Sequence, residues 1–204
     1  AQLDAGFESG SGFREAFSRT FGEAPNKSRK ALTFAMDWID TPLGPMLAIA
    51  DETHLHMLEF VERKKLQEHV DRYRKVFNAT VLPGDTKALK LIRKELADYF
   101  AGKNLDFKSK IAGAGTEFQN DVWDELRRVP PGVTRSYQEM AERIGRPTAI
   151  RAVANANRLN RCAIILPCHR VIGSDGTLTG YAGGLWRKQW LLDHEKRHTG
   201  QTLL

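Results

Sequence analysis

Only two cysteines, Cys162 and Cys168, occur in the 204 residues. So sparse a set excludes the disulfide framework of a small secreted domain, and both are expected as reduced thiols. No stretch approaches the roughly 18 apolar residues of a membrane-crossing helix. The opening Ala1-Gln2-Leu3-Asp4 lacks a basic segment followed by an apolar one, so no secretory leader is expected there. These absences point to an intracellular protein, cytoplasmic or, in a eukaryote, nuclear, with no membrane partner. Between residues 127 and 170 lysine is missing altogether, and Glu139 and Glu142 are the only acids. Nine arginines fall in the same span: Arg127, Arg128, Arg135, Arg143, Arg146, Arg151, Arg158, Arg161 and Arg170. That segment carries +7, while the other residues, with 22 basic and 23 acidic side chains, come to −1. A local arginine field suits a polyanion, because guanidinium groups bind phosphate bidentately and stack on bases. A solvated basic face would have the same composition.

The residues that are present, 41% of them hydrophobic, suffice for one large core or two small ones. The most telling stretch is Pro167-Cys168-His169-Arg170-Val171. It follows the apolar run Ala163-Ile164-Ile165-Leu166, which reads as a short buried strand, and precedes the turn signal Gly173-Ser174-Asp175-Gly176. A strand that ends at a proline would hold a thiol rigidly at the rim of a core, beside a histidine. The same five residues also fit a small buried hydrophobe next to a surface histidine.

Along the chain, Phe13, Phe17 and Phe21 share a helix face within residues 3–30. From Leu32 the period becomes two, with Leu32, Phe34, Met36 and Trp38 on one face of a strand. Strands over 46–50 and 55–61 extend this to an antiparallel meander. Leu66, Val70, Tyr73 and Phe77 mark a helix; Thr86 caps another that carries Leu89, Ile92, Leu96 and Phe100. Ala112-Gly113-Ala114-Gly115 is the candidate linker. Beyond it, capping boxes at Thr116/Gln119 and Ser136/Glu139 open two helices, and a third is predicted from Thr148 to Asn157. The last two, joined by a tight glycine turn, form a helix-turn-helix pattern, which together with the arginines favours nucleic acid. Leu185, Gln189 and Leu192 define the face of a final helix bearing Glu195. The fold class is therefore α+β, in three parts: residues 1–30, 31–111 and 112–204.

The stretch Pro-Cys-His-Arg-Val, with Asn160 eight positions before the cysteine and Gly180-Tyr181-x-Gly183-Gly184 and Glu195 after it, resembles the 6-O-alkylguanine-DNA alkyltransferase family over about residues 31–197. Residues 1–30, with Ala5-Gly6-Phe7-Glu8-Ser9 and the phenylalanine face, resemble the end of the second helix-turn-helix of AraC-type regulators. The nearest type is thus the C-terminal part of an Ada-type repair protein. The resemblance implies a small ribonuclease-H-like domain followed by a winged helix-turn-helix domain. Such a monomer would bind double-stranded DNA through its minor groove and flip an alkylated guanine into a pocket. Cys168 would accept the alkyl group from the 6-oxygen of guanine, or from the 4-oxygen of thymine. His169 would deprotonate it through a water, Glu195 would orient the histidine, and Asn160 would fix the turn. Arg151 would fill the space left by the base, and Tyr137 would crowd its phosphate and protonate the leaving purine. Thr148, Ala152 and Asn157 would join the DNA contact, with Val171, Tyr181, Ala182 and Gly183 walling the pocket. Ala182 stands where several members have serine, and Cys162 has no family role.

Displacement at an alkyl carbon needs an ionised sulfur, and a free thiol with a pKa of about 8.5 is mostly protonated at neutral pH, hence the neighbouring base. The thioether product resists cleavage, so the protein would react once. Three other readings use the same residues. A cysteine hydrolase built on Cys168, His169 and Glu195 would turn over. A regulatory DNA-binding fragment would not need Cys168. Zinc on Cys162, Cys168, His194 and His198 would require a cysteine spacing that matches no common finger, so neither metal nor cofactor is expected.

Overall fold

A computed structural model describes residues 32–113 and 115–200. The helix expected within residues 3–30 lies outside them. The chain begins in β1 (Leu32–Ile39), β2 (Met46–Ala50) and β3 (Leu55–Phe60), the expected antiparallel meander. Helix α1 (Leu66–Phe77) then leads to β4 (Ala79–Pro83), which pairs parallel with β1 and gives the order β3-β2-β1-β4. Strand β4 is absent from the sequence reading, which assigns only the turn at Pro83-Gly84. Five residues between a helix and a proline give too short a period to register.

The sheet is covered on both faces, so β2 and β3 are buried throughout. Leu47 and Ile49 point to α1, against Leu66, Val70 and Tyr73. Met46, Ala48 and Ala50 point the other way, into a larger core that includes Leu89, Ile92, Leu96 and Tyr99 of α2 (Lys87–Phe100). That second core continues through Cys162–Leu166 and Leu191, so the two halves of the chain share it. On β1, Phe34 and Met36 are buried as predicted, whereas Leu32 at the strand end is exposed.

The second half packs α3 (Glu117–Arg127), α4 (Tyr137–Arg143) and α5 (Ile150–Arg158) around Val122, Leu126, Met140, Val153 and Val171. Both capping boxes form. The short β5 (Arg135–Ser136) pairs parallel with β6 (Val171–Ile172), and α6 (Leu185–His198) closes the chain. Among the described residues no helix is long and apolar enough to cross a membrane.

Two local expectations fail. Ala163–Leu166 is a turn, not a strand, and Ile164 sits at φ +72°, in the left-handed region that β-branched residues avoid. The final helix keeps only Leu192 of its expected face: Leu185 and Gln189 are exposed, and the buried face carries Arg187, Lys188, Leu191, Leu192, His194 and Glu195.

Candidate active site

Cys168 opens the 3-10 turn Cys168–Arg170, directly after Pro167. Its place is set by the preceding turn through one buried side chain. Asn160 Nδ2 donates to the Leu166 carbonyl at 2.8 Å and to Cys168 Sγ at 3.1 Å, while Oδ1 accepts from the Cys162 N–H at 2.9 Å. A donor aimed at sulfur favours the thiolate. Burial nonetheless lifts the Cys168 thiol above its ordinary value, against the opposing pull of Asn160, Lys188 and Arg63. The resting group is a protonated thiol that needs a base.

The next residue supplies one. His169 is fully buried, with Nε2 2.8 Å from Glu195 Oε1. Glu195, also fully buried, accepts further bonds from the Tyr99 hydroxyl at 2.9 Å, the Gly132 N–H at 3.1 Å and two Arg170 nitrogens at 2.9 and 2.8 Å. Burial alone would raise this carboxyl, but His169 and Arg170 outweigh it and hold the group well below the usual carboxylate range. An ionised carboxylate only accepts, so Nε2 of the histidine carries the proton. Nδ1 is then a bare acceptor, and it is buried without a hydrogen-bond partner among the described residues. Burial, opposed by Glu195, lowers the histidine from its ordinary value, so the imidazole is neutral and free to take a proton.

Cys168 lines a cavity of about 590 Å³ together with Tyr137, Arg151, Asn157, Tyr181 and Ala182, all singled out from the sequence. Thr179 and Gly180 of the glycine-rich loop complete it with Ile150, Ala154 and Arg158, and those three are not among the pocket residues the sequence points to. Helical spacing from Arg151 would have found Ala154 and Arg158, which lie on the same face. Thr148, just before α5, and Ala152, within it, are exposed but do not line the cavity.

Two of the expected pocket residues do not line this cavity. Val171 is fully buried in the helical core, and its carbonyl accepts from Lys188 Nζ at 2.6 Å. Gly183 lines a neighbouring cavity of about 580 Å³ instead. A Cβ there would come 2.8 Å from Tyr181 and 2.9 Å from Phe60, so glycine is what lets the loop lie flat on the core.

The arginine segment is less free than its count suggests. Arg128 and Arg143 both pair with Glu125, Arg146 pairs with Asp121, and Arg170 is enclosed with Glu195. Arg151 and Arg158 remain at the cavity. His194 and His198 each hydrogen-bond to a backbone carbonyl, of Tyr99 and His194 respectively.

Comparison with known proteins covers both halves. Residues 36–112 match the family described as 6-O-methylguanine DNA methyltransferase, ribonuclease-like domain, and residues 117–197 the DNA binding domain of the same family. A methylated-DNA–protein-cysteine methyltransferase of Methanosarcina barkeri is 43% identical over 166 residues, covering 79% of this chain and 97% of that protein. The protein of that name from Salmonella typhimurium is 42% identical over 166 residues, covering 77% and 92%. Among solved structures, that of the Mycobacterium tuberculosis protein in complex with DNA superposes with a TM-score of 0.69 at 39% identity, covering 82% of this chain and 94% of that one. Matched over both domains and to nearly the full length of its relatives, the chain belongs to the 6-O-methylguanine DNA methyltransferase family.

Proposed function

We propose that the chain repairs DNA directly, by moving the alkyl group from the 6-oxygen of guanine to its own Cys168 and reacting once. The observation that carries this reading is the placement of Cys168: its residue lines a cavity large enough for a nucleobase, its sulfur accepts from Asn160, and a buried neutral histidine follows it. The relatives are named for cysteine methyl transfer, and one of them is solved with DNA bound.

The flipped guanine enters the cavity, and Arg151 on α5 fills the gap it leaves. His169 Nδ1 takes the thiol proton through an intervening water, and Glu195 stabilises the resulting charge. The sulfur attacks the alkyl carbon, an S–C bond forms, and the C–O bond breaks with its electrons passing to the purine. Tyr137 donates a proton to the leaving base, and, with alanine at position 182 in place of serine, only the main-chain N–H there is left to donate to the guanine oxygen. Thr148, Ala152 and Asn157 add to the DNA contact. Residues 31–111 form one unit and 112–204 the DNA-binding, alkyl-accepting one; acting on DNA places both in the compartment that holds it, the cytoplasm in a bacterium.

Intact mass after incubation with a duplex containing 6-O-methylguanine tests this. One methyl per chain is expected, on the peptide bearing Cys168 and absent in Cys168→Ala. Repair of more than one duplex per protein molecule would refute the single-turnover mechanism and favour a hydrolase.

A further inference from the structure

The N-terminal half takes no part in the steps above, yet one of its side chains reaches across. Arg63 follows β3 and is buried. Its two terminal nitrogens donate to the carbonyls of Asn160 and Arg158, each at 2.8 Å. These carbonyls lie at and just past the end of α5, where backbone acceptors lack helical partners and a cation is favoured. Glu59, buried on β3, pairs with the same guanidinium nitrogen that reaches the Asn160 carbonyl. The β3 backbone adds its own grip: the Leu58 N–H donates to the Arg161 carbonyl, and its carbonyl accepts from the Ala163 N–H, both at 2.8 Å. The clamped stretch runs from Arg158 to Ala163, and in its middle is the asparagine whose amide reaches the Cys168 sulfur.

We propose that Arg63 is a positioning residue for alkyl transfer: from the N-terminal domain it fixes the end of α5 and the Asn160 turn, and so the donor at the reacting sulfur. This rests on the reading of Cys168 as alkyl acceptor. The guanidinium also contributes charge. The groups that bear on Cys168 electrostatically are Arg63 after β3, Lys188 on α6 and Tyr181 of the pocket loop, with the His169–Glu195–Arg170 cluster behind. Losing Arg63 therefore removes both a mechanical tie and a cation that favours thiolate.

The test uses the full chain as wild type, Arg63→Lys and Arg63→Met. Each is mixed with excess 6-O-methylguanine duplex, and methyl gain at Cys168 is timed from about pH 6 to about pH 9, the range in which a thiol and its base titrate. Arg63→Met is expected to lose at least about ten-fold in rate at saturating DNA, the scale of effect that a small misplacement of a reacting group produces. Its alkaline rise in rate should also move to higher pH. Arg63→Lys, which keeps the charge and can reach one carbonyl, should recover part of the rate and the wild-type pH dependence. Melting temperatures accompany the rates, because a residue that only holds the fold together would lower them without moving the pH profile. Arg63→Met reacting at the wild-type rate and pH dependence overturns the proposal. Should that variant not fold, Arg63→Lys decides: a reduced saturating rate at a wild-type melting temperature supports the positioning role, and a wild-type rate, or a loss of rate that only follows a lowered melting temperature, overturns it. A wild-type chain that gains no methyl is a different outcome, which removes the functional reading beneath the proposal.

Discussion

At Glu195 and His169 two titrations act in the same direction on stability. The folded carboxyl lies well below its ordinary 4.5, so its stabilisation is complete above that pH and is lost as the pH falls below it. The folded imidazole lies below its ordinary 6.5, so the unfolded ring takes up a proton that the folded one resists, and stability again falls as pH drops through 6.5. Urea denaturation should therefore show a steady loss of folding free energy from neutral pH into the acid range. Glu195→Gln leaves Arg170 buried with a neutral partner and should cost about 3–5 kcal/mol near neutral pH, the usual result of removing half of a buried pair. Its acid limb below pH 4.5 should be shallower than that of wild type. A folding free energy independent of pH across this range would contradict the assignment of charge in the cluster.

The turn before Cys168 shows what an element conceals when its sequence is read alone. Ala163–Leu166 has the composition of a strand, but it turns because β3 takes the hydrogen bonds on one side and Asn160 on the other. Tertiary bonds thereby force Ile164 to φ +72°. Substituting glycine sets two effects against each other. Relief of left-handed strain is worth about 1–2 kcal/mol, whereas removing a buried aliphatic side chain costs about 2–5 kcal/mol. Ile164 is 1% exposed, so burial should win, and Ile164→Gly should lose about 1–3 kcal/mol in urea denaturation. A stabilised variant would show that the core around Ile164 is looser than its burial implies. Helix α6 conceals its inner face for a related reason. Its inner face holds Arg187, Lys188 and Glu195, each satisfied by distant partners: Arg187 by the Leu43 carbonyl, Lys188 by the Val171 and Thr179 carbonyls. Buried charge erases the apolar period by which a helix face is recognised.

Across the whole molecule, the elements with strong caps and clear periods were legible: the meander, α1, α2 and the two capping-box helices all stand where the sequence puts them. The cysteine, its asparagine, histidine and glutamate were legible through a motif resemblance, and their contact depends on three separate stretches meeting, which no local pattern encodes. The arginine field was legible as a count but not as a field. Free arginines that neutralise phosphates give a salt slope of about −0.9 each, so nine would give roughly −8. In the structure Arg128, Arg143, Arg146 and Arg170 are already paired with carboxylates, and Arg161 lies over the Tyr73 ring. That leaves Arg151 and Arg158 at the cavity, Arg135 in β5 and Arg127 at the end of α3 as the proposed phosphate ligands. The logarithm of duplex affinity against the logarithm of salt concentration should then fall with a slope of about −2 to −4. Titrations of fluorescent duplex at several salt concentrations measure it directly. A slope near −6 would mean that the Glu125 and Asp121 pairs open on binding and release their three arginines to the DNA.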